Sequence, residues 1–261
     1  MMWGSGERRG PAFCQTQYSM APQCHLRRRL DRPSSTNPFA SLRARSLLVW
    51  LAVAVPIAIV TGLIVMAYTE IEPFASEGLM VTVELWLAGT FVAWLAFVAG
   101  RHRLNLLQLF GSPSKGFNWW TVPVVVAASM AFSPGSGLVL AYYLPWYREY
   151  VALTNGGGPP RLAVLMVTLV VVAPVFEELL FRGILLHRLA HRWSVAGGVL
   201  APSIVFGALH LDIVGATVFG IVMCVLYVHA GSLLVPIAAH ALNNLVSVLL
   251  IAAASPRPSR P

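Results

Sequence analysis

Residues 162–182 read LAVLMVTLVVVAPVFEELLFR, a hydrophobic run from Leu162 to Phe176 that ends in Glu177, Glu178 and Arg182. A stretch of ~20 apolar residues is what an α-helix needs to cross a hydrocarbon core of ~30 Å. Ionisable side chains at that depth are costly, so they face a protein interior or a wet cavity and mark function by default. Working outward, runs of similar length lie at Ser46–Tyr68, Leu79–Val98, Trp119–Leu140, Leu162–Phe181 and Leu233–Ala254. Pro202–His210 and Ile213–Tyr227 are shorter and separated by Leu211 and Asp212, which reads as two complete spans or a broken, partly re-entrant pair. The expected fold is all-α, a polytopic transmembrane bundle of about seven membrane segments around a buried polar site, by span length.

Composition agrees. The 261 residues are 57% hydrophobic and only 11% charged, with a mean hydropathy of +0.71; a soluble domain carries roughly a quarter charged residues. The net charge of +8 comes from 17 Arg and a single Lys, placed mostly in the tail and loops. That is a membrane-orientation pattern and gives no support to nucleic-acid binding. Arg45, Arg101, Arg103, Lys115, Arg188 and Arg192 fall on one side of the array and Glu70, Glu72 and Glu77 on the other. The positive-inside rule then makes the N-terminus cytoplasmic, against the weaker vote of Arg148, Arg161, Arg257 and Arg260. Residues 1–45, rich in Arg, Pro and Ser and without apolar periodicity, read as a disordered basic cytosolic tail. Residues 46–254 form one transmembrane domain with its motif-bearing core at 162–250, and 255–261 a short tail. Cys14, Cys24 and Cys224 have no pairing or metal spacing.

Two further polar pairs follow the acidic motif: Phe206 with His210, and His240 with Asn244. At ~1.5 Å per residue, Glu177 lies roughly 22 Å along a helix entering at Leu162, and His240 about 10 Å along one leaving at Leu233. A helix starting at Pro202, a favoured first-turn residue, would put His210 about 12 Å deep, in the same layer. Glu178 and Arg182, four apart, share a helix face, whereas Glu177 is turned about 100° away. Glu177 is thereby free to act on a water. A carboxylate and an imidazole can deprotonate that water, while an imidazole N–H and a carboxamide can donate to an oxyanion.

The ordered set Glu-Glu-x3-Arg, Phe-x3-His and His-x3-Asn, with Gly231-Ser232-Leu233 ahead of the last, resembles the CPBP family: the CAAX proteases and bacteriocin-processing enzymes, also called Abi or Rce1-like. The resemblance covers Leu162–Leu250. It implies an intramembrane endopeptidase in which Glu177 and His210 activate water, His240 and Asn244 stabilise the oxyanion, and Glu178 and Arg182 order the site. The family is often labelled a metalloprotease, and Glu177, His210 and His240 would be a plausible zinc set; the absence of an HExxH helix and the presence of Asn favour a metal-free mechanism with no cofactor. The N-terminal half, Met1–Pro160, is then the part expected to carry substrate preference.

Blander roles attach to the remaining polar residues. Phe206 reads as packing, Asp212 as a helix cap, and Glu84 as a lone carboxylate satisfied by a neighbouring helix. His187 and His191 lie beside Arg188 and Arg192 on a basic cytosolic helix, His229 at a span end, and Trp119 and Trp120 in an aromatic belt. Gly156–Pro160 is a turn. The rival to an enzyme is a non-catalytic membrane scaffold or bacteriocin-immunity factor; a transporter would show paired halves, which this chain lacks. Partners are the lipid bilayer and a membrane-associated protein or peptide. The Arg-rich, nearly Lys-free composition points to a bacterial cell membrane, where, within the CAAX-type or bacteriocin-like substrate class, a peptide or membrane-protein substrate is expected over a prenylated one.

Overall fold

The computed structural model describes residues 44–69, 75–103, 105–143, 166–210 and 212–254, and among them every regular element is helical. The tails at 1–43 and 255–261, the Gly156–Pro160 turn and the start of the fourth apolar run at 162–165 lie outside the described residues. In chain order the helices are α1 (Ala44–Thr69), α2 (Ala75–His102), the short α3 (Leu107–Phe110) and α4 (Thr121–Tyr143). One continuous helical run follows, in which α5 (Ala173–Glu178) and α6 (Leu186–Arg192) are preceded and separated by π-helical turns at Thr168–Val172 and Leu179–Leu185. Then come α7 (Val195–Ala208), α8 (Ile213–Ala230) and α9 (Leu234–Ala254).

The ends of these helices are written in the sequence. Ser194 caps α7 by accepting from Gly197 N at 3.0 Å, and Asp212 caps α8 by accepting from Gly215 N at 2.9 Å. Each satisfies an amide that the first helical turn leaves without a partner. Gly231, left-handed at φ 72°, closes α8. The Ser194 cap overturns one expectation: α7 starts at Val195, with Pro202 in its interior. Phe206 is therefore reached about two turns further along the helix than a start at Pro202 implies, and His210 lies two residues past the end of α7. Interior proline is tolerated in membrane helices because neighbouring groups re-satisfy the freed carbonyl. The segment 202–227 resolves into two separate helices, α7 and α8, packed closely on each other.

That close packing has a steric basis. A Cβ on Gly207 would collide with Thr217 Oγ1, and one on Gly220 would meet Ser203 Cβ at 3.0 Å. α9 packs on α4, on the first π turn, on α5 and on α8, while α1 and α2 pair and α2 also lies against the first π turn and α5. The core at their junction is aromatic: Trp50, Phe91 and Phe176 pack edge to face with centroids 5.2–6.4 Å apart, and Phe181 does the same with Phe206 at 5.2 Å.

The outside of the bundle is apolar as well. Val53, Val92, Phe97, Val124, Ile204 and Leu250 are all exposed, a surface that suits lipid. The stretches Val83–His102 and Ile213–Ala230 are each long and apolar enough to cross a membrane, and shorter apolar helices accompany them at Arg45–Thr61, Thr121–Ser133, Val195–Ala208 and Leu234–Leu250.

Candidate active site

The acidic motif sits on α5 between two π turns, and Pro174 accounts for the first. Within that turn Ala173 N donates to Thr168 O, five residues back. The next carbonyl, Leu169 O, would require the amide of residue 174, and proline has none. A buried carbonyl without a donor is costly. Asn244 of α9 supplies one, with Nδ2 to Leu169 O at 2.8 Å. Single π turns recur at functional sites, and here one fixes the orientation of Asn244.

Glu178 and Arg182 form the expected pair, Nη1 to Oε1 at 2.8 Å, both fully buried. The pair is larger than the sequence implies. Glu178 Oε1 also accepts from His240 Nδ1 at 2.9 Å, and Arg182 Nη2 donates to Gly220 O at 3.1 Å. The absence of a Cβ at Gly220 lets α8 lie close against Ser203 of α7. Arg182 further lies over the Phe206 ring, 4.8 Å from its centroid, a favourable placement for a desolvated guanidinium.

Both histidines are held through Nδ1. A carboxylate or a carbonyl can only accept, so His240 carries its proton on Nδ1 toward Glu178 and His210 carries its own toward Phe206 O, at 2.7 Å. In the neutral rings Nε2 is then the lone-pair nitrogen. His240 Nε2 stands 3.9 Å from Glu177 Oε2, an oxygen that is buried and has no hydrogen-bond partner among the described residues. His210 stacks on Phe206 at 4.3 Å, and the Phe206 ring meets His240 edge-on at 5.9 Å. Phe206 is thus the packing element expected of it, holding His210, His240 and Arg182 in register.

Glu177 and Glu178 sit on α5, Arg182 on the second π turn, His210 two residues past the end of α7, and His240 and Asn244 on α9; α9 packs on α5, and α7 on the second π turn. For His240 to serve as the expected oxyanion donor through Nε2, it must carry a second proton. Among the described residues no three His, Cys, Asp or Glu side chains converge as a metal set, so Glu177, His210 and His240 do not fit the zinc arrangement that their identities allow.

Other expectations can be placed. Asp212 is a cap and accepts from Ser133 Oγ at 2.8 Å. His187 Nε2 is 2.8 Å from the Tyr227 hydroxyl, and Trp119 and Trp120 are exposed. Glu84 departs from expectation: one carboxylate oxygen is buried with no hydrogen-bond partner among the described residues. Sequence reasoning missed the Glu178–His240 bond and the two backbone carbonyls that hold Arg182 and Asn244. The signal available was Pro174.

Comparison with known proteins falls on the same segment. Residues 159–246 match the family described as type II CAAX prenyl endopeptidase Rce1-like. An Escherichia coli protein described as an uncharacterized 24.3 kDa protein is 27% identical over 175 residues, 64% of this chain and 75% of its own. No solved structure matches the chain. The segment that bears the three polar motifs is the one that is similar to the Rce1-like family.

Proposed function

We propose that the protein is an intramembrane endopeptidase that hydrolyses a peptide bond of a membrane-associated protein or peptide. The observation that carries this reading is the unpartnered, buried Glu177 oxygen facing His240 Nε2, beside a Glu178–Arg182 pair that neutralises its own charge. A carboxylate without a protein partner in a low-dielectric site is available to a water. Glu177, aided by His210, removes the water's proton as its oxygen bonds to the scissile carbonyl carbon. Protonated His240 and the second N–H of Asn244 donate to the oxyanion. Glu178 fixes the orientation of His240 through Nδ1, and Arg182 holds Glu178.

The reading includes a bundle of about seven membrane segments, an N-terminus in the cytoplasm and a bacterial cell membrane as the site of action. It is metal-free: the amide of Asn244 is a poor ligand and a good donor. Substrate-trapping proteomics in the native membrane tests it, comparing the wild type with Glu177→Ala. Membrane peptides or proteins that accumulate uncut on the variant and appear as fragments with the wild type are expected. Identical profiles would place the non-catalytic scaffold or immunity factor ahead.

A further inference from the structure

A groove of about 510 Å³ runs between α1 and α2, a size within the range of ligand pockets. Its walls are apolar, with Val53, Ala54 and Ile57 on one helix and Trp86, Trp94 and Phe97 on the other. The hydroxyl of Thr90, also on the wall, is spent on its own helix at Trp86 O, 2.9 Å away. Such a surface takes a hydrocarbon chain.

The two ends of the groove differ. α1 and α2 follow each other across a short connection and pack side by side, so they run antiparallel. Trp50 meets Trp94 with ring centroids 6.4 Å apart. Ser46, one turn before Trp50, is therefore level with Val98, one turn after Trp94, and both line one end. Arg45 shares a helix face with the lining residue Val49, and Arg101 shares one with the lining residue Phe97, each four residues away. Both arginines are exposed, and among the described residues neither has a carboxylate partner. The other end, at Ile57 and Trp86, has no basic residue within a turn on either helix. From Ser46 to Ile57 is eleven residues, or ~16 Å of helix, about half of a ~30 Å hydrocarbon core. The groove is one leaflet deep, with its basic end at the cytoplasmic face on the topology proposed above.

We propose that this groove binds an anionic glycerophospholipid of the cytoplasmic leaflet, with its phosphate between Arg45 and Arg101 and one acyl chain along Val49, Val53 and Ile57. The inference rests on the membrane placement proposed above and is independent of the hydrolase reading. Guanidinium groups grip phosphate with paired N–H donors, and a zwitterionic headgroup offsets that attraction with its own cation. The site also bears on the acidic motif. Trp50, part of the wall, packs on Phe176 with centroids 6.4 Å apart, one residue before Glu177. A lipid chain in the groove covers the outer side of the aromatic cluster that backs α5.

Native mass spectrometry of the full-length protein released from detergent micelles counts the lipids it retains, with phosphatidylglycerol or phosphatidylcholine of the same acyl chains added. The wild type should keep one phosphatidylglycerol with roughly thirtyfold preference, taking about fivefold for each surface arginine. Arg45→Gln with Arg101→Gln should bring the preference to within about threefold. Val53→Trp, a change at an exposed position, fills the groove and leaves its charges, and should lose the retained lipid. Arg192→Gln, which removes a charge elsewhere, should alter neither. Equal retention of both lipids by the wild type, a preference that outlives the double variant or falls as far with Arg192→Gln, or a lipid kept by Val53→Trp would overturn the assignment. So would a lipid-free dimer that Val53→Trp splits, which would give the groove to a second copy of the chain. Each of these leaves the membrane and hydrolase readings standing, whereas recovery of the protein in the soluble fraction without detergent would count against the membrane placement itself.

Discussion

Glu178 and His240 lie 62 residues apart in the chain and meet at 2.9 Å, with Arg182 on the same carboxylate oxygen. One anion thus holds a guanidinium and an imidazole at once. On the proposed reading the two adjacent glutamates divide the work: Glu178 holds its partners in place, and Glu177, pointing elsewhere on the helix, is left to the reaction.

Glu177→Gln keeps the shape of the side chain and removes its basicity. Turnover should fall by about 10²–10⁴-fold, the range of acid–base catalysis, while the protein still inserts and migrates as wild type by size exclusion. Turnover within twofold of wild type would sink the assignment of Glu177 as the base.

Glu178→Gln should act on stability first. It leaves Arg182 buried without a counter-charge, and breaking a buried pair in this way costs about 3–5 kcal/mol. Thermal unfolding in detergent should shift down clearly. Replacing both partners together, Glu178→Leu with Arg182→Leu, should recover much of that stability and none of the activity, because His240 still lacks its anchor; recovered activity would show that the anchor is dispensable.

Pro174→Ala restores an amide able to reach Leu169 O. Asn244 then loses its claim on that carbonyl and turns freely. Activity should drop several-fold with no loss of thermal stability, a combination that a damaged core would not produce. A parallel loss of both would contradict the role given to the π turn.

Asn244→Asp separates the two chemistries considered for the site. A carboxylate there would improve a metal site but would set a negative charge against the oxyanion and against Leu169 O. Catalysis should fall strongly while substrate still binds, and a strong chelator should leave wild-type activity intact. Wild-type or higher activity of the variant, with tighter zinc binding, would overturn the metal-free mechanism.

The three polar pairs were legible because membrane-depth charge is rare and helical spacing places Glu178 with Arg182, Phe206 with His210, and His240 with Asn244 on common faces. The apolar runs gave α1, α2, α4 and α9 to within a few residues. The start of α7 was misplaced because Pro202 looks like a first-turn residue, whereas the cap at Ser194 decides the matter. The links between motifs were hidden for a different reason. Arg182 to Gly220 O and Asn244 to Leu169 O end on backbone carbonyls, which every residue possesses and no sequence pattern marks. Glu84, read as satisfied by a neighbouring helix, has one buried oxygen without a hydrogen-bond partner among the described residues.

The turn between α8 and α9 is fastened to the loop after α3. Ser232 Oγ bonds to Phe110 O at 3.0 Å, Leu233 N donates to the same carbonyl at 2.8 Å, and Ser114 N donates to Ala230 O at 2.8 Å. These clasps join the segment shared with the family to one more than 40 residues upstream of it. Ser232 and Leu233 are buried at this seam, and a buried polar group stripped of its partner is costly. The recognisable domain is therefore not a removable cassette: its boundary in sequence comparison cuts across a seam that the folded chain has sewn shut.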